Sequence, residues 1–279
     1  MSISVVVLTY NRLHLLRQCY ENVLCRTSPE VAEIIIWDNA STDGTRTYLS
    51  ELDDRRLSVV LHDRNIGQNA YPEAFRRARG DYFVELDDDV IDAPSEWDRR
   101  LLEAFVRLPQ IGFLAANLEN NPHDRTAQIM YGENAALYRV ETVNGVRLKL
   151  GGPVGGGCAM TSRSIYDAVG GFGTHRKLAF FYEDAVYISS IRKHGLEAAY
   201  LEDARVLHAG GPYYSPIVEE KEAFWAYRAR KQARKDLVKT ALLAVPFIPR
   251  LNAHFSWFQP PEGSPSGEGG SPKRAGGDA

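Results

Sequence analysis

Cysteine is scarce in this chain of 279 residues. The three present, Cys19, Cys25 and Cys158, form no metal-ligand spacing and are odd in number. The odd count argues against a disulfide framework, and a reducing, cytoplasmic setting is the expectation. Long apolar runs are missing too. None reaches the roughly 18–20 residues a membrane-spanning helix needs, and the nearest, Leu237 to Phe258, is broken by Lys239, Pro246, Pro249, Arg250 and His254. Neither a basic leader nor a small-residue cleavage site comes before Ile3-Ser-Val-Val-Val-Leu8, which reads as a first strand. Excess charge of one sign is absent as well: the net charge is −3, so no nucleic-acid partner is expected. No Gly-x-Gly-x-x-Gly follows the first strand and no Walker-type Gly-Lys-Ser/Thr occurs, which weakens dinucleotide and nucleoside-triphosphatase readings.

What is present fits a soluble globular protein of one large or two small domains, with 44% hydrophobic and 25% charged residues. Buried, β-rich runs at Ile3–Thr9, Ile34–Trp37, Leu57–Leu61 and Tyr82–Leu86 alternate with helical patterns. The helices are expected near Leu13–Val23, Thr45–Leu52 and Glu73–Arg79, and from a Ser95 cap to about Arg107. Such alternation predicts an α/β fold with a central, mostly parallel sheet flanked by helices. Further strands are expected at Ile111–Ala116, Ala159–Thr161, Glu197–Leu201 and Ala204–Leu207, a hairpin around Asn144-Gly145, and a helix from Ser162 to Val169.

Polar clusters directly follow the first four strands: Thr9 to Arg12, Asp38 to Asp43, His62 to Asn65, and Asp87 to Asp89. In open sheets of this kind the crevice beyond the carboxyl ends of the strands is where ligands bind. Three adjacent carboxylates repel one another and are costly to desolvate unless a cation or donors compensate. Asp87-Asp-Asp89 is therefore either a solvated acidic turn or a site for a divalent cation, with hard oxygens suited to Mg²⁺ or Mn²⁺.

Gly151-Gly-Pro-Val-Gly-Gly-Gly-Cys158 is either a flexible loop or a place where backbone approaches a ligand closely. A second apolar run, Ala179 to Tyr182, ends in Glu183-Asp184, which opens a helix to Lys193; acids there serve as caps or as reacting groups. His208 follows a strand and precedes glycines. Val218 to about Leu243 reads as a charged helix whose basic run, Arg228 to Lys235, is either a solvated face or a peripheral membrane contact. Pro, Gly and Ser dominate from Gln259 onward, and the tail 259–279 is expected to be disordered.

Taken in order, Val5-Val-Val-Leu-Thr-Tyr-Asn-Arg12, Asp38-Asn-Ala-Ser-Thr-Asp-Gly-Thr45, Asn65-Ile-Gly67, Gly80-Asp81, Leu86-Asp-Asp-Asp89, Gly170-Gly-Phe172, Tyr182-Glu-Asp184 and His208 resemble the inverting nucleotide-sugar glycosyltransferases of family 2, with the GT-A fold. The resemblance covers about residues 2–215. It implies a donor half of about 1–117 and an acceptor half of about 118–215, and leaves the helical extension, 216–258, and the tail unassigned.

Carried over position by position, it implies that Thr9, Tyr10 and Arg12 line the nucleotide pocket and that Asp38 accepts from the nucleobase. Asn65 and Gly67 complete that wall, and Asp87 and Asp88 belong to the donor side, with Asp88 mainly a spacer. Asp89 and His208 are the implied ligands of Mn²⁺ or Mg²⁺, Asp184 the base with Glu183 orienting it, and Gly156 and Gly157 shape the acceptor side. The implied donor is a nucleoside-diphosphate sugar, with UDP favoured and dTDP or GDP open, and the acceptor is a hydroxyl of a glycan, lipid-linked sugar or metabolite. A sugar nucleotidyltransferase would need a Gly-rich phosphate loop after the first strand, and Thr9-Tyr-Asn-Arg-Leu13 has none. A non-catalytic nucleotide-sugar-binding protein would lack the acids that this chain retains. The sequence leaves the oligomeric state open.

Overall fold

The computed structural model describes residues 1–176, 178, 183–210 and 218–243. The apolar run Ala179 to Tyr182 and the tail from Gln259 lie outside the described residues.

Four β-rich runs become β1 (Ile3–Thr9), β2 (Val31–Asp38), β3 (Leu57–Leu61) and β4 (Tyr82–Asp87). They lie in the order β3-β2-β1-β4 and are mutually parallel. Val5, Val6 and Val7 of β1 are fully buried, as a strand covered by helices on both faces requires. The connecting helices are α1 (Leu13–Asn22), α2 (Thr45–Glu51) and α3 (Tyr71–Arg77). Helix α1 buries Leu16, Cys19 and Tyr20 at helical spacing, and Leu15 beside them. A short strand, β5 (Val90–Asp92), follows the three aspartates, and α4 (Trp97–Val106) leads into β6 (Ile111–Leu118).

The second half adds a one-turn helix α5 (Arg125–Gln128), a hairpin of β7 (Arg139–Val143) and β8 (Val146–Leu150), β9 (Cys158–Ser162), α6 (Arg163–Val169), α7 (Glu183–Lys193) and β10 (Glu197–His208). The sheet continues from β4 through β9, β6, β10 and β8 to β7, with β5 paired to β10. Strand β9 runs antiparallel to both β4 and β6. Met1–Phe224 forms one compact unit and Trp225–Ala279 a second. Helix α8 (Val218–Leu243) matches the expected charged helix. Among the described residues no helix is long and apolar enough to cross a membrane.

Three expectations shift. Ser95 does not cap α4: the helix starts at Trp97 after Glu96, which has a left-handed φ of 55°, and no side chain caps it. Fully buried Trp97, whose Nε1–H donates to the Val23 carbonyl at 3.1 Å, sets the start instead, because burying an indole outweighs a cap worth about 1 kcal/mol. Helix α3 begins at Tyr71, two residues before Glu73, because Pro72 is accommodated in its first turn. The two short strands expected after Glu197 form one strand, with a register shift between Leu201 and Arg205 where it pairs with β6.

Gly80 ends the chain segment that feeds β4, and a Cβ there would lie 2.6 Å from the Ser4 backbone nitrogen and 2.9 Å from the Ile3 carbonyl carbon. Backbone cannot step aside as a flexible side chain can. Gly80→Ala is therefore expected to cost about 1–3 kcal/mol, read as a lower urea midpoint; an unchanged midpoint would show that β1 tolerates the shift.

Candidate active site

Strand register brings the predicted polar clusters to one edge. Thr9 pairs with Asp38, Asp38 with Leu61, and Leu8 with Asp87, so the carboxyl ends of four strands line up. Strand order reverses about β1, which makes this edge the switch point where such sheets open a crevice.

Loop hydrogen bonds shape the β1–β2 side. The Asn11 N–H donates to Ser41 Oγ at 2.8 Å, and Asn11 Oδ1 accepts from Thr42 N at 2.7 Å, with Asn11 at a φ of 50°. Asp38 is fully enclosed; its carboxylate accepts from Ser41 N at 3.1 and 3.2 Å and from Arg46 Nε at 2.7 Å. A carboxylate offers about four acceptor positions, so Asp38 is largely committed to the protein. Asn65 Oδ1 accepts from Gly67 N at 2.8 Å, and Gly67 takes a φ of 56° that favours glycine. Asn39 ties this turn to the end of β2, accepting from Ile66 N and donating to the Gly67 carbonyl, each at 3.3 Å. Thr9 is buried and Tyr10 half-buried beside them. The pairing of Thr9 with Asp38 and the Asn39 bonds to the Asn65–Gly67 turn bring these residues to one edge, with Tyr10 next to Thr9 in the chain.

The three aspartates diverge, since successive side chains leave the backbone in different directions. Asp87 is half-buried at the end of β4. Asp88 is fully buried and lies 2.5 Å from Arg12 Nη2. Asp89, also fully buried, lies 3.4 Å from Arg12 Nη1 and 3.0 Å from His208 Nε2. Pairing of β5 with β10 sets His208 opposite Val90, and the Ala209 N–H donates to the Asp89 carbonyl at 2.8 Å, which carries His208 to the cluster across the whole sequence. His208 Nε2 is also 3.5 Å from Asp87 Oδ2.

Arg12 and Asp88 are both buried and face one another. They form an ion pair, because a buried carboxylate needs a cation beside it. Burial still pushes the Asp88 carboxyl up, and Arg12 opposes that shift. One ligand atom each from Asp87, Asp89 and His208 lies within 4.8 Å of the others. Two hard oxygens and an imidazole nitrogen are a donor set that Mn²⁺ accepts and that a small divalent cation fits.

On the other side stand Glu183 and Asp184 at the start of α7. Asp184 accepts from Ala185 N at 2.6 Å and from Gly156 N at 3.1 Å. Burial raises its pKa to about 6, with those two N–H donors pulling it down and the Asp87 charge adding to the rise. Glu183 is buried, and burial with the Asp184 charge pushes its carboxyl well up.

Beneath it lies a residue the motifs did not point to. Glu85 of β4 is only 2% exposed, its carboxyl raised by burial and then by Glu183 and Asp184. Its sequence signal was a carboxylate inside an otherwise apolar strand. Gly156 is needed for close approach here: a Cβ would sit 2.6 Å from Glu85 Oε2, while the Gly156 N–H holds Asp184. The next residue, Gly157, gives its carbonyl to Asp87 N at 2.8 Å, and a Cβ would fall 3.3 Å from Asp87 Oδ2. Two consecutive glycines therefore join the raised carboxyl of Asp184 to the Asp87–Asp89–His208 set.

Comparison with known proteins bears on the family and the fold. One relative is the undecaprenyl-phosphate 4-deoxy-4-formamido-L-arabinose transferase of Proteus mirabilis, 28% identical over 134 residues, 46% of this chain and 41% of that protein. The chain thus spans less than half the length of such curated relatives. Among solved structures, the mannosyltransferase PcManGT from Pyrobaculum calidifontis, in complex with GDP-Man and Mn²⁺, aligns with a TM-score of 0.54 at 18% identity, covering 91% of this chain and 79% of that one. TarS 1–349 of S. aureus, in complex with UDP-GlcNAc, aligns with a TM-score of 0.54 at 17% identity, covering 77% of this chain and 61% of that one. Both structural likenesses bear on the fold, which is GT-A. Residues 4–170 match the family described as Glycosyl transferase family 2, and the chain belongs to that family.

Proposed function

We infer that this chain is a cation-dependent, inverting glycosyltransferase that moves a sugar from a nucleoside diphosphate to an acceptor hydroxyl. The observation that carries this reading is the pairing of Asp184, a carboxyl raised to about 6, with the Asp87–Asp89–His208 set across Gly156 and Gly157.

In this reading Asp87, Asp89 and His208 hold a divalent cation. The chemistry the cation supplies is neutralisation of the negative charge that collects on the departing diphosphate. Arg12 keeps Asp88 and Asp89 in place. The edge of Thr9, Tyr10, Asp38, Asn65 and Gly67 receives the nucleoside. Asp184 takes the proton of the acceptor hydroxyl as that oxygen attacks the anomeric carbon and the bond to the diphosphate breaks. A raised carboxyl pKa suits it to accept a proton near neutral pH. One base opposite the leaving group gives a single displacement and inversion. Glu183, backed by Glu85, orients the start of α7 from which Asp184 projects.

A donor screen tests the reading. With Mn²⁺ present, one of the UDP-, GDP- or dTDP-sugars is expected to raise the melting temperature by about 5 °C or more at saturating concentration. UDP-sugars are the first to try. EDTA should cancel the shift. A flat response to all three, with and without Mn²⁺, would exclude UDP-, GDP- and dTDP-sugars as donors.

A further inference from the structure

His208 has a neighbour on its far side that the motifs do not point to. Asp124 Oδ2 lies 3.2 Å from His208 Nδ1, opposite the ring nitrogen that faces Asp87 and Asp89. Asp124 is 2% exposed and His208 6%. The other oxygen of Asp124 caps α5, accepting from Thr126 N at 2.9 Å. Apart from the imidazole, no donor among the described residues meets the buried Oδ2.

Position is secured from both chain segments. Asn121 Nδ2 donates to the carbonyls of His208 at 2.7 Å and Ala209 at 3.2 Å, and the Asp124 N–H donates to the Asn121 carbonyl at 3.2 Å. Gly210 takes a φ of 58°, and a Cβ on it would fall 2.7 Å from Asp124 Cα. No other residue at 210 lets the two segments come this close.

We propose that Asp124 is the positioning residue of the cation site, holding His208 in the Nδ1–H tautomer so that Nε2 is presented as a ligand between Asp87 and Asp89. The inference rests on the cation reading given above. Its physical basis is the accounting of donors. A buried carboxylate oxygen without a donor is costly, and neutral imidazole has a single N–H to give. Placing that N–H on Nδ1 satisfies Asp124 and turns the Nε2 lone pair toward two carboxylate oxygens, at 3.0 and 3.5 Å. Three electron-rich atoms facing one another at those distances repel unless a cation lies among them. A carboxylate behind a histidine ligand both fixes the ring and raises the basicity of the ligating nitrogen. Asp124 also belongs to the segment before α5, so the cation site is braced from the second half of the chain.

The test is Mn²⁺ affinity of the full chain without nucleotide, by calorimetry or by electron paramagnetic resonance of free Mn²⁺. Asp124→Asn keeps an N-cap residue for α5 and is expected to retain the wild-type melting temperature while binding Mn²⁺ about 10–100-fold more weakly. Asp124→Ser, which also caps but cannot reach the ring, is expected to lose as much and decides the case if the Asn variant misfolds. Imidazole ¹⁵N shifts of the metal-free protein should show a protonated Nδ1 in wild type and a loss of that preference in Asp124→Asn, a change that a merely structural role would not produce. Wild-type Mn²⁺ affinity in both variants, with binding lost in Asp89→Asn, would overturn the role of Asp124 and leave the cation site standing. No Mn²⁺ binding by the wild-type chain would overturn both.

Discussion

Asp184→Asn is expected to reduce turnover by about 10²–10⁴-fold, the usual worth of a positioned general base, while donor affinity stays at the wild-type value. The substitution is close in size, and the amide oxygen can still accept from Gly156 N or Ala185 N. Only the capacity to take a proton is removed. The pH profile supplies an independent reading. Asp184 accepts a proton only when ionised, and its pKa is raised from 3.8 to about 6, so wild-type turnover should climb as pH rises through about 6. The variant should lose that limb.

Stability works in the opposite sense. A carboxyl whose folded pKa is raised contributes stability that is fully present below pH 3.8 and is lost as pH rises through about 6. At neutral pH the ionised, desolvated carboxylate opposes folding, so the Asn variant should unfold no more readily than wild type. A collapse in activity without loss of stability therefore identifies the base. Near-normal turnover in Asp184→Asn would remove Asp184 from that role.

Asp89→Asn is the second large effect. The set keeps Asp87 and His208 but loses its most deeply buried charge. Mn²⁺-dependent donor affinity should fall, and turnover should drop by about 10²–10³-fold, the cost of removing one preorganised stabiliser of developing charge. EDTA should then have little left to inhibit. Arg12 is not stranded by the change, because Asp88 remains 2.5 Å from its Nη2, so the variant should stay folded. An EDTA response identical to that of wild type would refute the role of Asp89.

Much of the fold was legible because it depends on local pattern. β-branched runs at Ile3–Thr9 and Leu57–Leu61 and helical stripes such as Leu16, Cys19 and Tyr20 have one stable way to be buried in a layered α/β protein. Polar clusters placed straight after strands must share an edge when the strands are parallel, and the register of Thr9 with Asp38 and of Leu8 with Asp87 does so. Element ends were less legible. The start of α4 depends on the burial of Trp97 against Val23, a contact between residues 74 apart.

By itself, the sequence determined which acids exist, their order along the chain and that each closes a strand or opens a helix, because periodicity and termini are properties of neighbouring residues. Tertiary structure decided what each acid faces. It turned Asp88 inward onto Arg12, set Glu85 beneath Gly156 and Glu183, and brought Asp89 to His208 by pairing β5 with β10. It also placed Asp124, in a stretch with no motif, behind the ring of His208. Charge neutralisation and hydrogen-bond satisfaction are settled by atoms far apart in sequence, and only the folded chain states which atoms those are.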